Sequence, residues 1–171
     1  MSLIDRLLGR EARQREPLRP LWHRVVEIAR EKHWYAARGI ADTVTGRFDA
    51  ITLVLVLVLI RMERSDLLAQ PGTFLTELFV EDMDGQLRQS GVGDPSVGKH
   101  VRNLMATLGG RLGAIREALP QGAAALEPVL ERNVSLTEGA DTHALADGVF
   151  ALWADLQATS DDALLAGEIA R

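Results

Sequence analysis

The stretch Gly91-Val92-Gly93-Asp94-Pro95-Ser96-Val97-Gly98-Lys99-His100 comes closest to a chemical site in its residue types and spacing. Counted from Gly93 it reads G-x-x-x-x-G-K, the spacing with which backbone N–H groups and a lysine cradle nucleotide phosphates. That chemistry also needs a buried strand before the loop and a Ser or Thr after the lysine to hold magnesium. Here His100 follows Lys99, and the preceding DMDGQLRQS is too polar for a central strand. Asp94-Pro95 fits the start of a helix without any ligand, since Asp accepts a bond from an orphan N–H and Pro suits the first helical position. Gly91 and Gly93 then read as residues that permit positive φ where two helices join.

The acids Glu81, Asp82 and Asp84 raise the question of a metal site. At about 100° per residue, Leu75, Leu78, Phe79, Met83 and Leu87 define one apolar stripe. Asp84 projects to the far side, four residues before Arg88, as an ordinary exposed pair. Asp82 projects into the stripe, so the two carboxylates cannot converge on one ion. A carboxylate on a buried face wants a cation, and Arg111 or Arg47 is the expected partner. The four histidines show no metalloprotease grouping, no catalytic Ser arrangement is present, and the absence of cysteine excludes thiolate chemistry and disulfides. Neither a cofactor nor a metal is expected, and nothing supports an enzyme.

These residues must sit on helices. Breakers at Pro17 and Pro20, Gly39, Pro71-Gly72, Gly91 to Gly93, and Pro120 to Gly122 divide the 171 residues into helical pieces. Asp42-Thr43-Val44-Thr45-Gly46 reads as a turn. The run ITLVLVLVLI, residues 51–60, is too short to span a membrane, because Asp49 and Arg61 close it and a span needs about 20 apolar residues. A helix apolar on every side belongs at the centre of a bundle. Thr73 opens another helix, Asp94-Pro95 one running to about Leu119, and shorter ones are expected near 123–132 and over Thr142–Ala158. Ser160 is expected to cap a last helix. The expected class is all-α, one bundle of six to eight helices.

The helix after Pro95 breaks a local rule. Gly98, Gly109, Gly110 and Gly113 lie in it, at about 1 kcal/mol each relative to alanine. Lys99, Arg102, Arg111 and Arg116 share it, with no acid between Pro95 and Arg116. Two readings stand side by side: internal close packing at the glycines, or a basic docking surface with small-residue gaps for a partner chain.

The formal charge of −5 argues against general nucleic-acid binding, and no specific DNA binding is expected. The charge is uneven: residues 1–64 carry twelve bases and eight acids, the remainder seven bases and sixteen acids. Such a dipolar protein meets an anionic surface at one end only. Residues 1–16 form a separate N-terminal segment in which Leu3, Ile4, Leu7 and Leu8 share a helical face with arginines opposite. It reads either as a frayed terminal helix or as a short membrane-surface or partner-docking helix. It lacks the apolar core of a secretory signal, and its acids make a poor transit peptide. Residues 17–171 form the helical domain.

Trp34-Tyr35, Asp42-Thr43-x-x-Gly46-Arg47-Phe48, Asp82-Met83-Asp84-x-x-Leu87-Arg88-x-x-Gly91-Val92-Gly93-Asp94-x-x-Val97-x-Lys99 and Gly110-Arg111 follow one another in an order and spacing that resembles the ubiquinol–cytochrome c chaperone family. The likeness covers about residues 22–119. Leu108-Gly109 departs from it where two aromatics are usual, and Gly98 where proline is common. The resemblance implies a helical, non-enzymatic assembly factor for cytochrome b of the bc1 complex. The partners it implies are cytochrome b, a ribosome and a small partner protein. It also implies a bacterial cytoplasmic protein held peripherally at the inner membrane. A phosphate- or nucleotide-handling enzyme on the Gly93–Lys99 loop is the alternative, and an interaction module for another membrane complex a further one.

Overall fold

The computed structural model describes residues 13–89 and 94–171. The expectations for the first twelve residues, and for Gly91 and Gly93, lie outside them. So do those for the side chains of Leu87, Asp94 and Val97. Among the described residues there are eight α-helices. They are α1 (Arg19–Ala29), α2 (Lys32–Ala36), α3 (Val44–Met62), α4 (Ala69–Gln89), α5 (Asp94–Ala118), α6 (Ala123–Asn133), α7 (Thr142–Ala158) and α8 (Asp161–Leu165). Single 3₁₀ turns lie at Glu16–Leu18 before α1, at Asp66–Leu68 between α3 and α4, and at Leu119–Gln121 between α5 and α6. The protein is an all-α bundle, as the spacing of apolar residues and breakers predicts.

The centre is α3. Every residue from Asp49 to Met62 is buried, because α1, α4, α5 and α7 all pack around it. Each Leu, Val or Ile so enclosed contributes about 1.5–3 kcal/mol relative to exposure. No described helix is long and apolar enough to cross a membrane. The other helices are amphipathic and pack in sequence, α4 on α5, α5 on α6, and α6 on α7.

Boundaries differ from the sequence expectation at both ends of α3, which stops at Met62 and gives way to the 3₁₀ turn at Asp66–Leu68 rather than running up to Pro71. The helix starts at Val44 rather than after Gly46, because the Thr43 hydroxyl accepts the Gly46 N–H at 3.1 Å and caps it. Pro71 lies inside α4, in its first turn, where its missing N–H costs nothing. At the other end of the chain, Ser160 caps α8 by accepting the Ala163 N–H at 3.2 Å, as expected.

One polar residue fastens the C-terminal part to the core. Arg61, at the end of α3, donates to the carbonyls of Leu156 (3.0 Å) and Thr159 (2.8 Å), and to the Asp161 carboxylate (2.8 Å). It therefore satisfies carbonyls at the end of α7 and pairs with an acid in the first turn of α8.

Candidate functional site

The N-terminal end of α3 gathers three of the sequence stretches that carry the family resemblance. Upstream, Trp34 Nε1 donates to the Ile28 carbonyl (2.8 Å) and the Tyr35 hydroxyl to the Ala29 carbonyl (2.8 Å). Two neighbouring aromatics thus close the C-terminus of α1, and burial raises the Tyr35 phenol above its ordinary value. The chain then turns at Gly39 (φ +78°) and lays residues 39–41 antiparallel to 135–137. The Thr137 N–H donates to the Gly39 carbonyl (2.9 Å) and the Ala41 N–H to the Ser135 carbonyl (2.8 Å).

The next stretch is a helix start with no slack. A Cβ at position 46 would sit 1.9 Å from the Ala41 carbonyl oxygen, so glycine is required there. Arg47 Nε donates to Asp42 Oδ1 at 2.7 Å across the cap, which holds the Asp42 carboxyl below its usual range. Asp42, Gly46 and Arg47 are therefore one local device for starting α3.

Asp49, one turn further, is the carboxylate that holds the buried arginine. It is 3% exposed. Its Oδ1 accepts from Arg111 Nη2 at 2.6 Å, and its Oδ2 accepts from the Ser135 N–H (2.8 Å) and hydroxyl (2.7 Å). The Arg111 guanidinium also lies 5.7 Å from the centre of the Phe48 ring. This corrects the expectation for Asp82, which is exposed and pairs with neither Arg111 nor Arg47. It lines a polar groove between α1 and α4 with Trp22, His23 and Gln86. α1 does not close over that turn, so a position within the apolar stripe opens to water. Asp84 pairs with Arg88 at 2.9 Å, as expected.

Above this cluster lies a groove of about 780 Å³. Tyr35, Val44, Phe48, Ile51, Met83 and Leu104 supply its apolar surface, and Arg30, Asp42, Thr45, Arg47 and Gln86 its polar edge. Val44 is 89% exposed, a large apolar side chain presented at the mouth. Such a concavity, apolar with polar margins, suits a segment of another chain.

The four basic residues of α5 separate into two pairs. Lys99 and Arg102 are exposed. Arg111 is spent on Asp49, and Arg116 makes a two-pronged pair with Glu63, with its Nε 2.8 Å from Oε2. Gly109, Gly110 and Gly113 have nothing within 4 Å of where a Cβ would stand, so their space is open rather than filled by internal packing. Lys99 lies within α5, and α4 is a helix up to Gln89, where a nucleotide-binding loop would have a strand. Among the described residues no cluster of His, Asp or Glu is placed to hold a metal ion.

Sequence reasoning missed Asp49 and Ser135. Asp49 carried a signal, a lone carboxylate at the border of a run apolar on all sides. Ser135 carried none, since only the pairing of 39–41 with 135–137 brings it there.

The fold is an all-α bundle with an apolar groove, edged by polar side chains, at the head of its central helix. The model of the ubiquinol-cytochrome C chaperone family matches residues 36–171, and the chain belongs to that family. Among solved structures it is similar to the crystal structure of the Cbp3 homolog from Brucella abortus. The identity is 31%, the match covers 98% of this chain and 96% of that one, and the TM-score is 0.79. No curated protein sequence gives a match.

Proposed function

We propose that this chain binds newly made cytochrome b and promotes assembly of the ubiquinol–cytochrome c reductase complex. The match of the chaperone family model over residues 36–171 carries the reading. The likeness to the Brucella abortus protein supports it along nearly the whole chain.

The client is a membrane protein, so its unassembled segments are apolar. The groove at the head of α3 offers an apolar floor of suitable chemistry, with Val44 and Phe48 at its entrance. The outer face of α5 offers a second kind of contact. Lys99 and Arg102 supply positive charge, and the open space at Gly109 and Gly110 lets another backbone come close. Arg111 and Arg116 act from within on this reading. Arg111 holds α5 against α3, and Arg116 ties α5 to the end of α3. Peripheral membrane contact through the arginine-rich N-terminal segment, and work beside a ribosome and a small partner protein, belong to the same proposal.

The test is capture of cytochrome b by the tagged chain from its own cells, solubilised in mild detergent. Recovery of cytochrome b with the wild-type chain, reduced at least several-fold by Val44→Asp or by Lys99→Glu with Arg102→Glu, is expected. Equal recovery by all three would remove both surfaces from the proposal.

A further inference from the structure

The segment after α8 runs as a strap along α1. A Cβ at position 167 would stand 2.7 Å from the Pro20 carbonyl oxygen, so the strap lies directly against the helix backbone there. Arg24 Nη2 donates to the Ile169 carbonyl at 2.9 Å, and the Ile169 side chain is buried. Arg171 closes the strap over the junction of α1 and α2. Its Nη2 donates to Glu31 Oε2 (2.9 Å) and to His33 Nε2 (3.2 Å), and its Nη1 lies 3.7 Å from Asp155 Oδ2 of α7. Its guanidinium is 5.8 Å from the centre of the Trp34 ring.

His33 is the member of this junction that changes charge near neutral pH. Its Nδ1 lies 3.3 Å from Glu31 Oε2 and its Nε2 accepts from Arg171, so a neutral ring with its proton on Nδ1 satisfies both neighbours. A further proton from solvent then enters at Nε2, the atom that Arg171 uses. The ring has no acceptor left, and two cations face each other at hydrogen-bond distance. The charged groups around the ring are Glu31 before α2, Arg38 after it and Arg171 from the strap, with Asp155 of α7 on the far side of Arg171. Burial and then Arg171 hold the ring below its ordinary value against the pull of Glu31, and Arg38 acts in the same sense as Arg171.

We propose that His33 is a proton-operated catch on the strap: uptake of a proton at Nε2 expels Arg171 and frees residues 170–171 from the α1–α2 junction, while Ile169 stays seated. Release also uncovers the face of Trp34 over which Arg171 lies. Trp34 shares α2 with Tyr35, which lines the groove at the head of α3, so the catch sits on the element that carries one wall of that groove. The proposal stands without the cytochrome b assignment, and its test uses purified protein alone.

The chain has no cysteine, so a single introduced thiol reports one place. The experiment attaches a nitroxide label at Ala170→Cys, an exposed position on the strap, and reads the ratio of mobile to immobile spectral components from about pH 7.5 to 5.5. Leu67→Cys, exposed on the turn before α4, serves as control. The expected result is a several-fold rise in the ratio as pH falls, bounded at about 10-fold per pH unit for one proton, with the control unchanged. His33→Gln, which can accept from Arg171 but cannot become charged, is expected to abolish the pH dependence. Arg171→Gln is expected to leave the label mobile at both ends of the range. A ratio that does not change with pH would overturn the proposal. So would a rise that persists in His33→Gln, because another group would then operate the strap, or an equal rise at Leu67→Cys, because the whole bundle would then be loosening.

Discussion

Asp49 and Arg111, 62 positions apart in the chain, meet at 2.6 Å inside the bundle and with Ser135 tie α3 to α5 and to the segment before α7. Both side chains are largely out of water, at 4% and 13% exposure. Breaking such a pair leaves one buried charge without compensation. Asp49→Ala is therefore expected to lower stability by about 3–5 kcal/mol. Asp82→Ala, at an exposed position, is expected to stay within about 0.5 kcal/mol of wild type. Urea denaturation midpoints check this; equal midpoints for the two variants would contradict the assignment.

That contrast also marks how far the sequence carries. The all-α class, the central position of the apolar run, the α7 limits and the Ser160 cap follow from breakers and periodicity, which are local. Choosing between Asp49 and Asp82 as the partner of Arg111 is not local. Projection places Asp82 on a buried stripe, but α1 stops covering α4 at that turn. Asp49 looks like the border of the run, yet the pairing of residues 39–41 with 135–137 encloses it. The candidate groove was legible only in pieces. Trp34-Tyr35, the Asp42–Phe48 stretch and Met83 are visible in the sequence, while their convergence depends on how four helices pack.

Glycines on two helices are expected to respond in opposite directions. Gly46→Ala forces a methyl into the Ala41 carbonyl and is expected to cost about 1–3 kcal/mol or more. Gly109→Ala meets open space on an exposed helix face and is expected to stabilise by up to about 1 kcal/mol. If α5 docks a backbone there, the same alanine weakens client capture while raising the melting temperature. Thermal denaturation and the capture assay, run on one preparation, separate the two effects.

Two histidines are expected to titrate on opposite sides of the ordinary imidazole value. His143 is raised by its hydrogen bond to Glu127 (2.9 Å) and by Asp147, so its charged form favours the folded state. That contribution is fully present below the ordinary value and is lost as pH rises through the raised one. His33 is lowered, first by burial and then by Arg171, so its neutral form is favoured. Its effect has the opposite sign, with stability falling as pH drops below the ordinary value toward the lowered one. Proton–nitrogen correlation spectra of the two rings across pH 5–8 check the order. A common midpoint would contradict both environments.

The arginine-rich N-terminal segment is expected to carry the electrostatic part of membrane association. Binding to anionic vesicles should weaken as salt rises, because screening shortens the reach of charge to about 8 Å at physiological strength. Removing residues 1–15 should reduce co-sedimentation, whereas Lys99→Glu with Arg102→Glu should leave it largely intact and impair client capture instead. Salt-independent pelleting of the wild-type chain would contradict the electrostatic account.

The central claim is that this family member serves cytochrome b. The most direct measurement is the reduced-minus-oxidised absorbance spectrum of membranes from cells lacking the chain, with and without a restored copy. The account predicts a loss of the b-type haem signal of the ubiquinol–cytochrome c reductase complex, recovered by the wild-type chain and not by Val44→Asp. An undiminished signal in cells without the chain would contradict it.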